Sequence, residues 1–185
     1  MIKDKITTLA KNIFADVVAY RRHIHANPEL SFKEFETSAY IKEKLALWGI
    51  PFTECANTGV VGLIKGEKPS DKVIALRADM DALPILESND KEYKSKNAGV
   101  MHACGHDVHS SSLLGTARIL NELKADFGGT IKLIFQPAEE LLPGGASIMI
   151  KEGVLENPKP QAIIGQHVMP FIDAGKVGFR SGIYM

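Results

Sequence analysis

The chain has 185 residues, 45% apolar and 24% charged, which are ordinary globular values and exclude a disordered polymer. Lysine plus arginine and aspartate plus glutamate number 22 each, so the net charge is zero and offers no electrostatic footprint for nucleic acid or an anionic membrane surface. No stretch approaches the roughly 18 consecutive apolar residues of a membrane span, residues 1–12 lack the unbroken apolar block of a secretion signal, and two cysteines allow at most one disulfide. The expectation is a cytoplasmic globular protein of one domain, with at most a small appendage.

Ile6, Leu9, Ile13, Phe14, Val17 and Val18 recur at helical spacing and predict a helix over residues 4–22, closed off by Asn27 and Pro28. A second helix is expected over residues 32–48, with Gly49 as its stop. Residues 60–64 and 73–76 read as two short strands, paired or neighbouring, with a turn-like stretch at residues 66–71 between them. Residues 84–100 are polar and aperiodic, and a loop of that length in a compact domain is more often functional than incidental. A helix over residues 110–123 and a buried central strand over residues 130–135 follow. A helix opening on glycines over residues 144–153 comes next, then short buried strands at residues 162–165 and 175–179. Helices alternating with buried strands predict an α/β layered fold.

The residues able to do chemistry gather at strand ends. Asp79 and Asp81 follow the strand at residues 73–76 and point to the same side if the chain stays extended, where they repel unless a cation or donors intervene. The alternative is a turn whose aspartates cap the backbone. His102-Ala103-Cys104-Gly105-His106-Asp107-Val108-His109 holds three of the six histidines and one of the two cysteines. Cys104 and His106 suit one ion or two ions side by side, with Asp107 and His109 near enough to fix ring orientation. Glu139 and Glu140 follow the strand at residues 130–135. One carboxylate there can ligate a metal while its neighbour accepts a proton from water, a division of labour that suits hydrolysis. Gly144 and Gly145 offer backbone amides that could approach an anion. His167 ends the strand at residues 162–165, and in open α/β sheets sites form outside the carboxyl ends of strands. Taken together the four clusters predict a metal-dependent hydrolytic centre.

In this order the motifs resemble the metal-dependent amidohydrolases of peptidase family M20, the branch of aminoacylases, hippurate hydrolases and indoleacetyl-amino-acid hydrolases. The matching stretches are Arg21-Arg22-His23-Ile24-His25-Ala26-Asn27-Pro28-Glu29-Leu30, Leu76-Arg77-Ala78-Asp79-Met80-Asp81-Ala82-Leu83-Pro84, and residues 101–109, 135–140 and 165–170. The resemblance implies a three-layer helix–sheet–helix, zinc-peptidase-like catalytic domain. It implies that Cys104 bridges two divalent ions (zinc, manganese, cobalt or nickel), with His106, Glu140 and His167 as further ligands. Glu139 would be the general base and Asp81, with Asp79 beside it, would orient a ligand. The implied reaction is attack of metal-bound hydroxide on an N-acyl amino acid, giving a carboxylate and a free amino acid.

The roles of His25, His102 and His109 stay open; His25 is as well suited to a structural bond with backbone or Glu29 as to catalysis. Cys55 is expected to be an inert thiol. Family members continue into a smaller lid domain, which often mediates homodimerisation, and then supply a further histidine ligand. The sequence ends at Gly182-Ile183-Tyr184-Met185, about where that domain would begin, so residues 1–185 are expected to be the N-terminal portion of an incomplete catalytic domain. The alternative in function is a truncated, non-catalytic metal-binding or interaction module; a closed structural zinc site in an unrelated α/β protein is a third reading.

Overall fold

The computed structural model describes residues 1–183; Tyr184 and Met185, the last two residues of the expected break before the lid domain, lie outside the described residues. The elements in chain order are α1 (Ile2–Asn12), α2 (Phe14–Ala26), α3 (Phe35–Leu47), β1 (Phe52–Cys55), β2 (Gly59–Lys65), β3 (Lys68–Asp79), α4 (His106–Glu122), β4 (Gly128–Gln136), α5 (Gly145–Lys151) and β5 (Ala162–Gly165). The single N-terminal helix expected from periodicity is two helices, broken at Ile13 with φ −96° and ψ 5°. Leu9, Ile13 and Val17 press together onto Ile119 and Leu123, so the apolar stripe runs through the break and conceals it.

The five strands lie in the order β1-β2-β4-β3-β5, with β2 antiparallel to β4 and both β4 and β5 parallel to β3. β2 and β3 therefore do not pair, contrary to expectation: β4 comes between them. β4, whose residues 132–136 are all buried, takes the centre, where both faces are covered. On one side Leu133 and Phe135 join Val60, Ile64, Ala78 and Met80 beneath Ile41 and Leu45 of α3 and Leu113, Leu114 and Ala117 of α4. On the other, Val61, Ala75 and Ile134 meet Met149 of α5 and Val154. Helices thus cover both faces, as the three-layer expectation requires.

β5 departs from its expected burial. It is an edge strand hydrogen-bonded to β3 alone, and Ile163 and Ile164 are 54% and 57% exposed. An apolar run reads as buried from sequence, but burial depends on what covers it, and no described residue does. Residues 175–179 form no strand. No described helix is long and apolar enough to cross a membrane.

The topology places the chemistry. Because β3, β4 and β5 run parallel, their carboxyl ends share one rim, bringing Asp79–Asp81, Glu139–Glu140 and His167 together. α4 begins at that rim, at His106, four residues before the expected start.

Candidate metal centre

Gly105 makes the approach between two of these segments feasible. It caps α4 in the left-handed region at φ +89°, and a Cβ there would sit 2.4 Å from Cγ2 of Val168. The loop bearing Cys104 is thereby pressed against the residue after His167, and Cys104 Sγ lies 3.3 Å from His167 Nε2. His167 Nδ1 lies 2.7 Å from the Val168 carbonyl. A carbonyl only accepts, so Nδ1 carries the proton and Nε2 turns its lone pair toward Cys104.

The same logic fixes His106. Its Nδ1 lies 2.9 Å from the Asp81 carbonyl and 3.2 Å from Asp81 Oδ1, so Nδ1 donates. Among the described residues its Nε2 is buried without a hydrogen-bond partner, 3.8 Å from Glu140 Oε1 and 3.7 Å from Asp79 Oδ2. Asp81 Oδ2 also accepts from Ser31 Oγ at 2.6 Å and from the Glu140 amide at 3.0 Å, tying ring and carboxylate segment to one anchor. Burial alone would raise the Asp81 carboxyl, but these bonds and the Glu139 amide hold it down at about 2.

Ligand-bearing atoms of Cys104, His106 and His167 lie within 4.8 Å of one another, as do those of His106, Glu139 and Glu140. Burial, followed by hydrogen bonding to Glu140 and then the charges of Glu140, Asp79 and Glu139, pushes the Cys104 thiol up to about 12. The field that disfavours a thiolate is the field that attracts a cation. A soft sulfur, imidazole lone pairs and carboxylates around a stranded buried nitrogen fit a borderline divalent ion.

A third group, Asp79, His106 and His109, is equally close. His109 is nevertheless fully used: its Nε2 accepts the Val168 amide at 2.9 Å, so Nδ1 donates to Asp79 Oδ1 at 2.6 Å. It straps the His167 segment to β3. Asp79 is held low against its burial by His109, Arg77 and His106, with Arg77 Nη1 at 2.6 Å.

The structure brings Cys104, His106, Glu139, Glu140 and His167 together, with Asp79 and Asp81 behind them. Other expectations change. Asp107 orients no candidate ligand; it takes Arg21 Nε at 2.6 Å and His25 Nδ1 at 2.8 Å. His25 bonds Glu87 Oε1 at 2.9 Å, not Glu29, whose carboxylate accepts the Glu36 and Thr37 amides at the start of α3. The Gly144 and Gly145 amides are spent on the Leu141 and Ala138 carbonyls, so neither is free to approach an anion. Both ring nitrogens of His102 are buried without partners among the described residues, and burial pushes its pKa down to about 4. Cys55 is a buried free thiol, pushed up to about 11 by burial and Glu152, as an inert thiol should be. Neither Glu34 nor Glu87 is marked out in the sequence by a metal-ligand or acid–base spacing.

Residues 75–182 match the profile of Peptidase family M20/M25/M40. The whole chain is 45% identical to half of an N-acyl-L-amino acid amidohydrolase of Geobacillus stearothermophilus. It is also 49% identical, over its whole length, to 42% of an IAA-amino acid hydrolase ILR1-like 2 of Arabidopsis thaliana. A crystal structure of a Bacillus subtilis protein, described as a dinuclear metal binding peptidase, superposes with a TM-score of 0.87 at 42% identity, covering 93% of this chain and 48% of that one. The chain spans about half the length of the curated relatives it matches.

Proposed function

Since the chain belongs to Peptidase family M20/M25/M40, we propose that it carries the metal centre and general base of an enzyme hydrolysing N-acyl amino acids to a carboxylate and a free amino acid. The observation that supports this most is that two groups of candidate ligands, Cys104 with His167 and Glu139 with Glu140, share His106, whose Nε2 is buried without a hydrogen-bond partner among the described residues. On this reading residues 1–185 are the N-terminal portion of the catalytic domain.

Cys104, His106, Glu140 and His167 would hold two divalent ions (zinc, manganese, cobalt or nickel). When bound, such ions supply Lewis acidity, lowering the pKa of a water molecule and polarising the amide carbonyl. The rest falls to the protein. Among the described residues the Glu139 carboxylate makes no hydrogen bond to the protein, which leaves it free to take a proton from the attacking water and deliver it to the departing amine. Asp81 keeps His106 in the tautomer whose Nε2 lone pair faces the site, and His109 keeps His167 at the rim.

Glu139→Gln tests the assignment. In a full-length context the variant retains its metal but loses about 10²–10⁴-fold in turnover of N-acetyl amino acids. Turnover comparable to the parent removes Glu139 from the mechanism.

A further inference from the structure

Glu34 lies at the start of α3, far in sequence from every residue of the metal centre, and is completely buried. Its Oε1 accepts the Ala138 amide at 2.8 Å, and its Oε2 accepts the Thr58 hydroxyl at 2.7 Å. Among the described residues it forms no ion pair. A buried carboxyl with no cation beside it is costly to keep; burial pushes its pKa up, while Thr58 and the amides of Ala138, Glu34 and Phe32 pull the other way.

What the carboxyl holds is unusual backbone. Ala138 has φ +46°, a conformation that an L-residue keeps only when its surroundings impose it. Phe32, two residues before Glu34, has φ +65°, and the turn before Thr58 carries Ala56 at φ +52° and Asn57 at φ +69°. Glu34 thus joins three irregular segments, including four of the five non-glycine residues with positive φ among the described residues.

The segment at Ala138 is gripped on its other side too. The Gly145 amide donates to the Ala138 carbonyl at 2.8 Å, and a Cβ on Gly145 would meet the Pro137 carbonyl oxygen at 1.9 Å. The next two residues are Glu139 and Glu140. The left-handed step at Ala138 turns the chain off the end of β4, and so decides where both carboxylates come to lie.

We propose that Glu34 is a positioning residue for the metal centre: by holding the Ala138 amide it fixes the turn that aims Glu139 and Glu140 at His106. This rests on the reading of that site as a metal centre. Glu34 touches no reacting atom; it acts only through Ala138. The acceptor matters, and the charge does not. Gln at this position can still accept the Ala138 amide through its carbonyl oxygen and donate to Thr58 Oγ1, whereas Met fills the volume and accepts nothing.

The test compares the parent chain with Glu34→Gln, Glu34→Met and Glu34→Ala, using Ile41→Val as a core control of reduced stability. Two readouts are taken: hydrogen exchange at the Ala138 amide by NMR without metal, and the dissociation constant for cobalt(II). Glu34→Met and Glu34→Ala are expected to lose at least tenfold in Ala138 protection and at least tenfold in cobalt affinity. Glu34→Gln is expected to stay within about threefold of the parent on both, and Ile41→Val to leave cobalt affinity unchanged. Should the Ala variant not fold, the Met variant decides.

Retained Ala138 protection in Glu34→Met overturns the proposal. So does freed Ala138 with parental cobalt affinity, and so does a Gln variant as impaired as Met. A parent chain that binds no cobalt would instead sink the metal-centre reading, and Ala138 exchange alone would then decide whether Glu34 fixes the turn.

Discussion

At the scale of single residues, the candidate site is governed by which nitrogen of each histidine carries its proton. Backbone carbonyls at Asp81 and Val168 set the answer for His106 and His167, and a backbone amide sets the opposite answer for His109. Three histidines crowded on one rim thereby divide into two with lone pairs facing the site and one with none to spare. Asp81→Ala keeps its backbone carbonyl but removes the carboxylate that shares the His106 Nδ1 proton and anchors the Glu140 amide, and should weaken metal binding by about 10–100-fold, the usual cost of losing a group that orients a ligand. Equilibrium dialysis with zinc measures it; an unchanged affinity would mean that the Asp81 carbonyl holds His106 unaided. The residue types of the site were legible in the sequence because thiol, imidazole and paired carboxylates stand out even in isolation. The exclusion of His109 was not legible, since its competitor for the lone pair, the Val168 amide, is 59 residues away.

At the scale of elements, the long loop at residues 84–100 is docked, not loose. The Glu87 carboxylate accepts the Ser95 amide at 2.6 Å and meets His25 Nε2 at 2.9 Å, and the Lys96 amide donates to the last carbonyl of α2 at 2.9 Å. Hydrogen bonding to Asp107, and then to Glu87, raises the His25 pKa against its burial; Glu87 and Asp107 are lowered, against their own burial, chiefly by His25. The signs give opposite limbs. The carboxylates contribute stability that is present above their ordinary range near pH 4 and lost as the pH falls. The raised His25 contributes stability that is full below about pH 6.5 and lost as the pH rises through its folded value. Proteolysis within the loop should thus be slowest between about pH 5 and 6.5 and quicken on both sides, and His25→Phe should abolish the alkaline limb. A profile flat from pH 5 to 9 would contradict this anchoring. The loop itself was legible from its lack of periodicity. Its anchors were not, because Glu87 meets His25 only when the loop folds back onto α2, across 62 residues of sequence. The order β2-β4-β3 was hidden for a similar reason: neighbouring segments suggest a hairpin, whereas the apolar β4 competes for the same central place and wins it through burial on both faces.

At the scale of the whole molecule, one sheet direction explains the site. Parallel β3, β4 and β5 deliver their carboxyl ends to a single rim, and α4 starts there with the thiol and imidazole at its head. This convergence could be expected from strand-end clusters alone, whereas the exposure of β5 could not, because nothing in four apolar residues says whether another layer covers them. A rim built to hold cations should link metal binding to folding: an ion that binds only the folded chain at a hundred times its dissociation constant adds about 2.7 kcal/mol of stability. Zinc should accordingly raise the melting temperature of the chain and leave that of Cys104→Ser nearly unchanged. The most direct test of the central claim is the absorption spectrum of the chain titrated with cobalt(II). A near-ultraviolet sulfur-to-cobalt charge-transfer band that saturates in the parent chain and is missing in Cys104→Ser is the predicted result. Cobalt that binds without that band, or a chain that binds none, would contradict a centre built on the Cys104 thiolate.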